Sequence, residues 1–206
     1  MRAEVKKYIE QHIIPQYAAF DAAHSIDHAQ TVIEQSDALA RYYAEIDREM
    51  AYVIAAFHDV GLCEGREFHH IASGKILRRD QFIASHFTAA QIEIMIQAIE
   101  DHRASAKDEP RSLYGRIVAE ADRIISVEVT LRRTVQYGLK LNPQASADEH
   151  YARFCDHLQE KYAKGGYLKL YIPYSENAAR LEELREVVAN PAELRRRFDL
   201  IFKELS

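Results

Sequence analysis

Apolar residues recur every three or four positions along almost the whole chain, and that period restricts the fold to packed helices. Strict alternation, the mark of half-buried strands, is absent, and only 7 glycines and 5 prolines interrupt the 206 residues. The expected fold class is therefore all-α. Between Asp27 and Ala44 one face carries Ala29, Val32, Ile33, Ser36, Leu39 and Ala40. Asp47 can cap a second helix, whose Met50, Val53, Ile54 and Phe57 run into His58. A third is predicted from His69 to Asp80, with Ile71, Ile76 and Leu77 apolar. Thr88 and Gln91 make a capping-box pattern that opens a fourth, through Ile92, Met95, Ile96 and Ile99 to His102. After a polar loop at 104–110, a fifth is predicted from Ser112 to Val127, with Asp122 among Leu113, Ile117, Val118, Ala121, Ile124 and Ile125. Further helices are predicted near 129–140, 147–164, 175–189 and 191–204. The last has Asn190 as cap, Pro191 at its first position and Glu193 to complete a capping box.

A chain that is 48% hydrophobic can bury a sizeable core. One domain over 1–206 is expected, with a helical core at about 20–130 and a C-terminal helical extension at about 140–206. The segment KGGYLKLYIPYS, 164–175, is the main irregular connection. The net charge of −5 is spread through interspersed acids and bases, so no basic stripe favours a nucleic-acid polymer. Cys63 and Cys155 form no CxxC pair, and the amino-terminal MRAEVKKYIEQ is too charged for a signal peptide. No apolar run approaches the roughly 18 residues that span a bilayer. The expected location is the cytoplasm, with reduced thiols and no membrane.

Ten histidines are many for this length, and their placement matters more than their number. His28, His58, His70 and His102 fall on or beside apolar helix faces, as do Asp59 and Asp122. Burying such groups costs several kcal/mol each unless they are paired or bind a metal. Their occurrence on separate helices implies convergence. In "AAFHDVG", 55–61, His58 and Asp59 are adjacent and so point about 100° apart on a helix. A metal between them would lie in that wedge. Imidazole and carboxylate without thiolate suit Fe, Mn, Co, Ni or Zn in a site with open positions.

His28 in "HSIDHAQTV", His58 and Asp59 in "AAFHDVG" and Asp122 in "GRIVAEADRI" together resemble the H…HD…D signature of the HD-domain metal-dependent phosphohydrolase superfamily, over about residues 20 to 130. The resemblance implies an HD-domain helical bundle with additional C-terminal helices. It also implies one or two divalent transition metals per chain, the first held by His28, His58, Asp59 and Asp122. Asp59 would bridge to a second metal held by His70 and His102. His69 rivals His70, but the spacing to Ser73, Gly74 and Leu77 selects His70.

The implied reaction is hydrolysis of a phosphate ester or anhydride of a small metabolite or nucleotide through a metal-activated water. His58 and Asp59 are then catalytic as well as ligating. Lys75 and Arg103 are the preferred cations for the developing phosphoryl charge, ahead of Arg78, Arg79 and Arg123. Glu64, Glu100 and Asp101 are candidates for proton transfer, Asp27 for orienting an imidazole, and Tyr167 or Tyr171 for stacking on a base. The acidic pair that nucleotide-alarmone hydrolases carry after the doublet has no counterpart in Val60–Glu64, and no GYP-type extension follows. Neither speciality is expected. The alternatives of different class are a non-catalytic metal-containing sensor of a phosphorylated ligand and a di-iron oxygenase. The expected partner is a small phosphorylated substrate, and a homodimer stays open.

Overall fold

The computed structural model describes residues 1–21, 24–106 and 108–206. Ala22 and Ala23, within the span of the resemblance, and Lys107, in the predicted polar loop, lie outside the described residues. Eleven α-helices and no strand occur among the described residues. The chain forms two compact units, one of residues 1–123 with 171–175, the other of 124–170 with 176–206.

In the first unit, α1 (Ala3–Tyr8) runs on through a π-helical turn (Ile9–Ile13) and a 3-10 turn opened by Pro15 (Ile14–Ala19). Next come α2 (Ile26–Ala40), α3 (Arg48–Phe57), α4 (His69–Arg79), α5 (Gln81–His86), α6 (Ala89–Asp101) and α7 (Leu113–Asp122). The amino-terminal segment changes from α to π to 3-10 geometry and so keeps no single helical period, and α5 has only six residues. Burial holds them instead, through Val5, Ile9, Ile13, Tyr17 and Ile83.

Caps set the helix starts as the residue types require. Ser25 caps α2, Asp47 caps α3, and Thr88 with Gln91 closes a reciprocal capping box on α6. α2 packs on α3 and α7, α4 on α6, and α6 on α3 and α7. The shared interior includes Val32, Val53, Phe57, Met95, Ile99 and Ile117.

α7 ends at Asp122, five residues before the predicted Val127. At the break, Arg123 N–H turns to the Glu120 carbonyl, and the Arg123 guanidinium takes the Ala119 carbonyl that a continuing helix would have used. Glu120 is fully buried and accepts from Tyr171 N at 2.7 Å and Ser175 Oγ at 2.6 Å. These bonds fasten the strap 171–175 onto α7.

The second unit packs α8 (Val127–Leu141), α9 (Ala147–Tyr162), α10 (Asn177–Val188) and α11 (Pro191–Leu205) around Leu131, Phe154, Leu158, Leu184 and Phe198. Gly165, at φ 86°, makes the left-handed turn that follows α9. Asn190 caps α11, but the expected capping box does not form. The Glu193 carboxylate accepts instead from Arg196 and Arg197, cations that lie one turn along the same helix.

Candidate metal centre

Six polar side chains of the first unit meet at helix ends. His28 is in the first turn of α2, and His58 and Asp59 follow the last residue of α3. His69 opens α4, His102 follows α6, and Asp122 closes α7. Three of the five helices thus direct their C-terminal ends, with partial negative charge, toward the cluster, which favours a cation there.

Backbone carbonyls orient three of the rings. His58 Nδ1 donates to Ala55 O at 2.7 Å, His69 Nδ1 to Arg66 O at 2.7 Å and His102 Nδ1 to Ile99 O at 2.6 Å. Each partner lies three residues upstream. With the Nδ1 proton committed, Nε2 of each ring is turned inward as the available donor atom for a metal.

The Nε2 atoms gather around Asp59. His58 Nε2 lies 3.2 Å from Asp59 Oδ2 and 3.3 Å from His28 Nε2. His28 Nε2 is 3.2 Å from Asp122 Oδ1, which is 3.8 Å from His58 Nε2. On the other carboxylate oxygen, Asp59 Oδ1, His69 Nε2 approaches to 3.2 Å and His102 Nε2 to 3.4 Å, with 3.3 Å between the two imidazoles. Two candidate metal-binding groups result, His28–His58–Asp59 and Asp59–His69–His102, and Asp59 belongs to both.

Asp59 Oδ1 is buried and has no hydrogen bond of good geometry. Beside it, two imidazoles whose Nδ1 protons are committed bring their Nε2 atoms together. An orphaned carboxylate oxygen next to paired nitrogen donors fits a divalent cation, so the residues present suit the metal that the signature implies.

The electrostatics agree. Burial alone would raise the Asp59 pKa, but the charge of His58 and the contacts with His102, His58 and His69 outweigh it and hold the carboxyl well below its usual range. Burial would likewise lower the His58 pKa. Asp59 and Asp122 reverse this and push it up to about 9. Asp122, also opposed by burial, is held low by His28 and His58.

The helix end is secured by Tyr17, a residue that no sequence pattern singled out. Its buried hydroxyl donates to Ala56 O at 2.9 Å and accepts from Asp59 N–H at 3.2 Å. Burial and the Asp59 charge raise this phenol well above its ordinary range, so it stays protonated. Gly61 matters through space rather than through an unusual turn. A Cβ there would lie 2.8 Å from Ala72 Cβ and would run into the His69 carbonyl and Ser73 backbone nitrogen. Gly61 N–H donates to Ser73 Oγ at 2.8 Å, which docks the chain after the doublet onto α4.

Several expectations need correction. His69, not His70, joins Asp59 and His102. His69 is the first residue of α4, where the side chain leans past the helix end toward the doublet. His70 points about 100° away, half-buried, with Nδ1 unpartnered and its pKa pushed down to about 4, by burial first and then by His102 and His69. Lys75 is exposed and lies about 240° around α4 from His69. Arg103 Nη1 donates to the Glu67 carbonyl at 2.7 Å at the exposed rim.

Glu100 and Asp101 both accept from Arg111, at 2.8 and 2.9 Å, and so brace the end of the 104–110 loop. Glu64 and Asp27 are exposed; backbone carbonyls orient the His58, His69 and His102 rings, while His28 Nδ1 is buried without a hydrogen-bond partner. Tyr171 lies over Arg123, while Tyr167 belongs to the second unit.

No helix among the described residues is long and apolar enough to cross a membrane. Comparison with curated proteins and with solved structures returned no match. A family model described as HD domain matches residues 24–126, half of the chain, and this span contains all six residues of the cluster. The chain belongs to the HD-domain family.

Proposed function

We propose that this protein is a phosphohydrolase that cleaves a phosphate ester or anhydride of a small metabolite or nucleotide. The observation that carries this reading is the placement of Asp59, whose two oxygens serve two separate histidine groups. HD domains are generally metal-dependent hydrolases, and nitrogen–oxygen donor sets without thiolate accompany sites with open positions. His28, His58 and Asp59, with Asp122 beside them, would hold one metal, and Asp59, His69 and His102 a second.

When bound, a divalent metal supplies Lewis acidity to a phosphoryl oxygen and lowers the pKa of an attacking water. The protein's own residues prepare that chemistry. The carbonyls of Ala55, Arg66 and Ile99 lock three imidazoles with Nε2 inward, so their geometry needs no reorganisation during the reaction. Asp59 and Asp122 stay ionised at neutral pH and keep the site negative. His58, whose pKa Asp59 and Asp122 push up to about 9, would give up its Nε2 proton to serve as a ligand. Val53, Ala56, Phe57 and Ile99, on the helices that end at the cluster, are fully buried.

Full-length protein assayed with Mn, Co, Ni and Fe against a panel of nucleotides and sugar phosphates should release phosphate only when metal is present. His58→Ala and Asp59→Ala should abolish that release while leaving the helical circular-dichroism spectrum intact. Activity retained by either variant would exclude this site.

A further inference from the structure

Among the cations near the cluster, the fold singles out Arg123. Lys75 is exposed, and Arg103 is engaged with a backbone carbonyl at the rim. Arg123, one residue beyond Asp122 at the same helix end, is only 6% exposed. Its guanidinium carbon lies 5.3 Å from the centroid of the Tyr171 ring, and Nη1 donates to Ala119 O. Nε is buried with no hydrogen-bond partner.

The carboxylates that act on this buried charge are those of Asp122 and Glu120, and the helix end requires only one of its five N–H donors. Glu120, an acid near it in sequence, is engaged by the strap through Tyr171 N and Ser175 Oγ. The side of the guanidinium formed by Nε and Nη2 has no hydrogen bond among the described residues. That edge presents two parallel N–H donors, the geometry that matches two oxygens of a phosphoryl group. Tyr171 covers one face of the ion, and its own position is set by the bond from its backbone N–H to Glu120. The strap therefore acts on the orientation of Arg123.

We propose that Arg123, held by Tyr171 and the Ala119 carbonyl, is the anion-binding residue of the metal centre and takes two phosphoryl oxygens of the substrate on its Nε–Nη2 edge. This deepens the phosphohydrolase reading and rests on it for the nature of the substrate. It also assigns a role to the strap 171–175, which lies outside the matched HD span.

The test uses zinc-loaded, full-length protein titrated calorimetrically with inorganic phosphate, with bound zinc measured in parallel. Arg123→Gln should weaken phosphate binding by about 10- to 100-fold, as loss of a charge-assisted pair does, with zinc content unchanged. Arg123→Lys should recover part of the loss, because it restores charge without the fork. Arg103→Gln should change affinity less than about threefold. Wild-type phosphate affinity in Arg123→Gln would overturn the proposal, as would parallel loss of zinc and phosphate in both Arg123 variants.

If Arg123→Gln does not fold, the Arg123 Nε–H resonance of the wild-type protein decides. It should shift on addition of phosphate but not of chloride at equal ionic strength, and no shift overturns the proposal. Arg123-dependent phosphate binding in a protein that hydrolyses nothing in the panel would support this inference and remove the hydrolase. Metal-dependent turnover with unchanged phosphate affinity in Arg123→Gln would do the reverse.

Discussion

Tyr17→Phe removes one oxygen from the interior and leaves the shape of the side chain otherwise intact. That oxygen is the partner of the Ala56 carbonyl and of the Asp59 N–H, at 2.9 and 3.2 Å, and the residue has no solvent exposure. Without it, two backbone groups at the end of α3 lose their hydrogen bonds in a site closed to water. Each buried, unpaired group costs about 1–3 kcal/mol. Some relaxation reduces the sum, so the expected loss is about 2–4 kcal/mol out of a typical 5–15 kcal/mol. For a chain of this length each kcal/mol lowers the thermal midpoint by about 2–4 °C, so the chelator-treated variant should melt roughly 5–15 °C lower. The same bond fixes the backbone of Asp59, and loss of such outer support typically weakens metal binding about 10- to 100-fold. Melting followed by circular dichroism and metal competition against a chromophoric chelator measure the two effects separately. An unchanged midpoint with unchanged metal affinity would refute the reasoning. A lower midpoint with unchanged affinity would restrict Tyr17 to stabilising the fold.

The placement of His69 predicts that His69→Ala reduces bound metal from two ions per chain toward one, whereas His70→Ala leaves the stoichiometry alone; elemental analysis of protein purified without chelator distinguishes them, and the opposite pattern would restore His70. A second expectation concerns pH in the metal-free protein. His58 has a folded pKa of about 9, above its ordinary 6.5, so its stabilising contribution is complete below about pH 6.5 and is lost as pH rises through 9. Asp59 and Asp122 act in the opposite sense, because their depressed pKa values stabilise the fold above the usual carboxylate range and are lost in acid. Denaturant unfolding of chelator-treated protein should therefore show a decline between pH 6.5 and 9 that His58→Gln removes. Apparent metal affinity should rise across the same interval as the His58 proton becomes easier to displace. Affinity independent of pH there would contradict a protonated His58.

The helices that carry the centre were legible because each is long enough to repeat its apolar period and begins at a recognisable cap. Asp47, Thr88 with Gln91, and Asn190 mark real helix starts. The amino-terminal run 3–19 was not legible because it changes from α to π to 3-10 geometry and shifts its phase each time, and α5 because six residues cannot establish a period. The end of α7 was hidden for another reason. Ile124 and Ile125 continue its apolar pattern, while the break is made by the Arg123 side chain taking the Ala119 carbonyl, a contact with no signature in local composition.

The candidate site divides along the same physical line. Residue types and their spacing were enough to bring His28, His58, Asp59, His102 and Asp122 to attention, because ionisable groups on apolar faces are too costly to be scattered at random. Helical phase favours His70, whereas the structure brings His69 to Asp59 and His102. Phase describes the middle of a helix, but at its first residue the direction of the side chain past the helix end decides what it reaches. Tyr17, the Glu120-bound strap and the buried Arg123 depend on contacts across 42, 51 and 48 positions of the chain, respectively. By itself the sequence determined an all-helical chain with a polar cluster in its core. Only the tertiary structure decided which histidine meets Asp59 and His102 and which arginine is buried at the end of α7, because packing between distant segments sets side-chain direction and burial, and local periodicity does not record them.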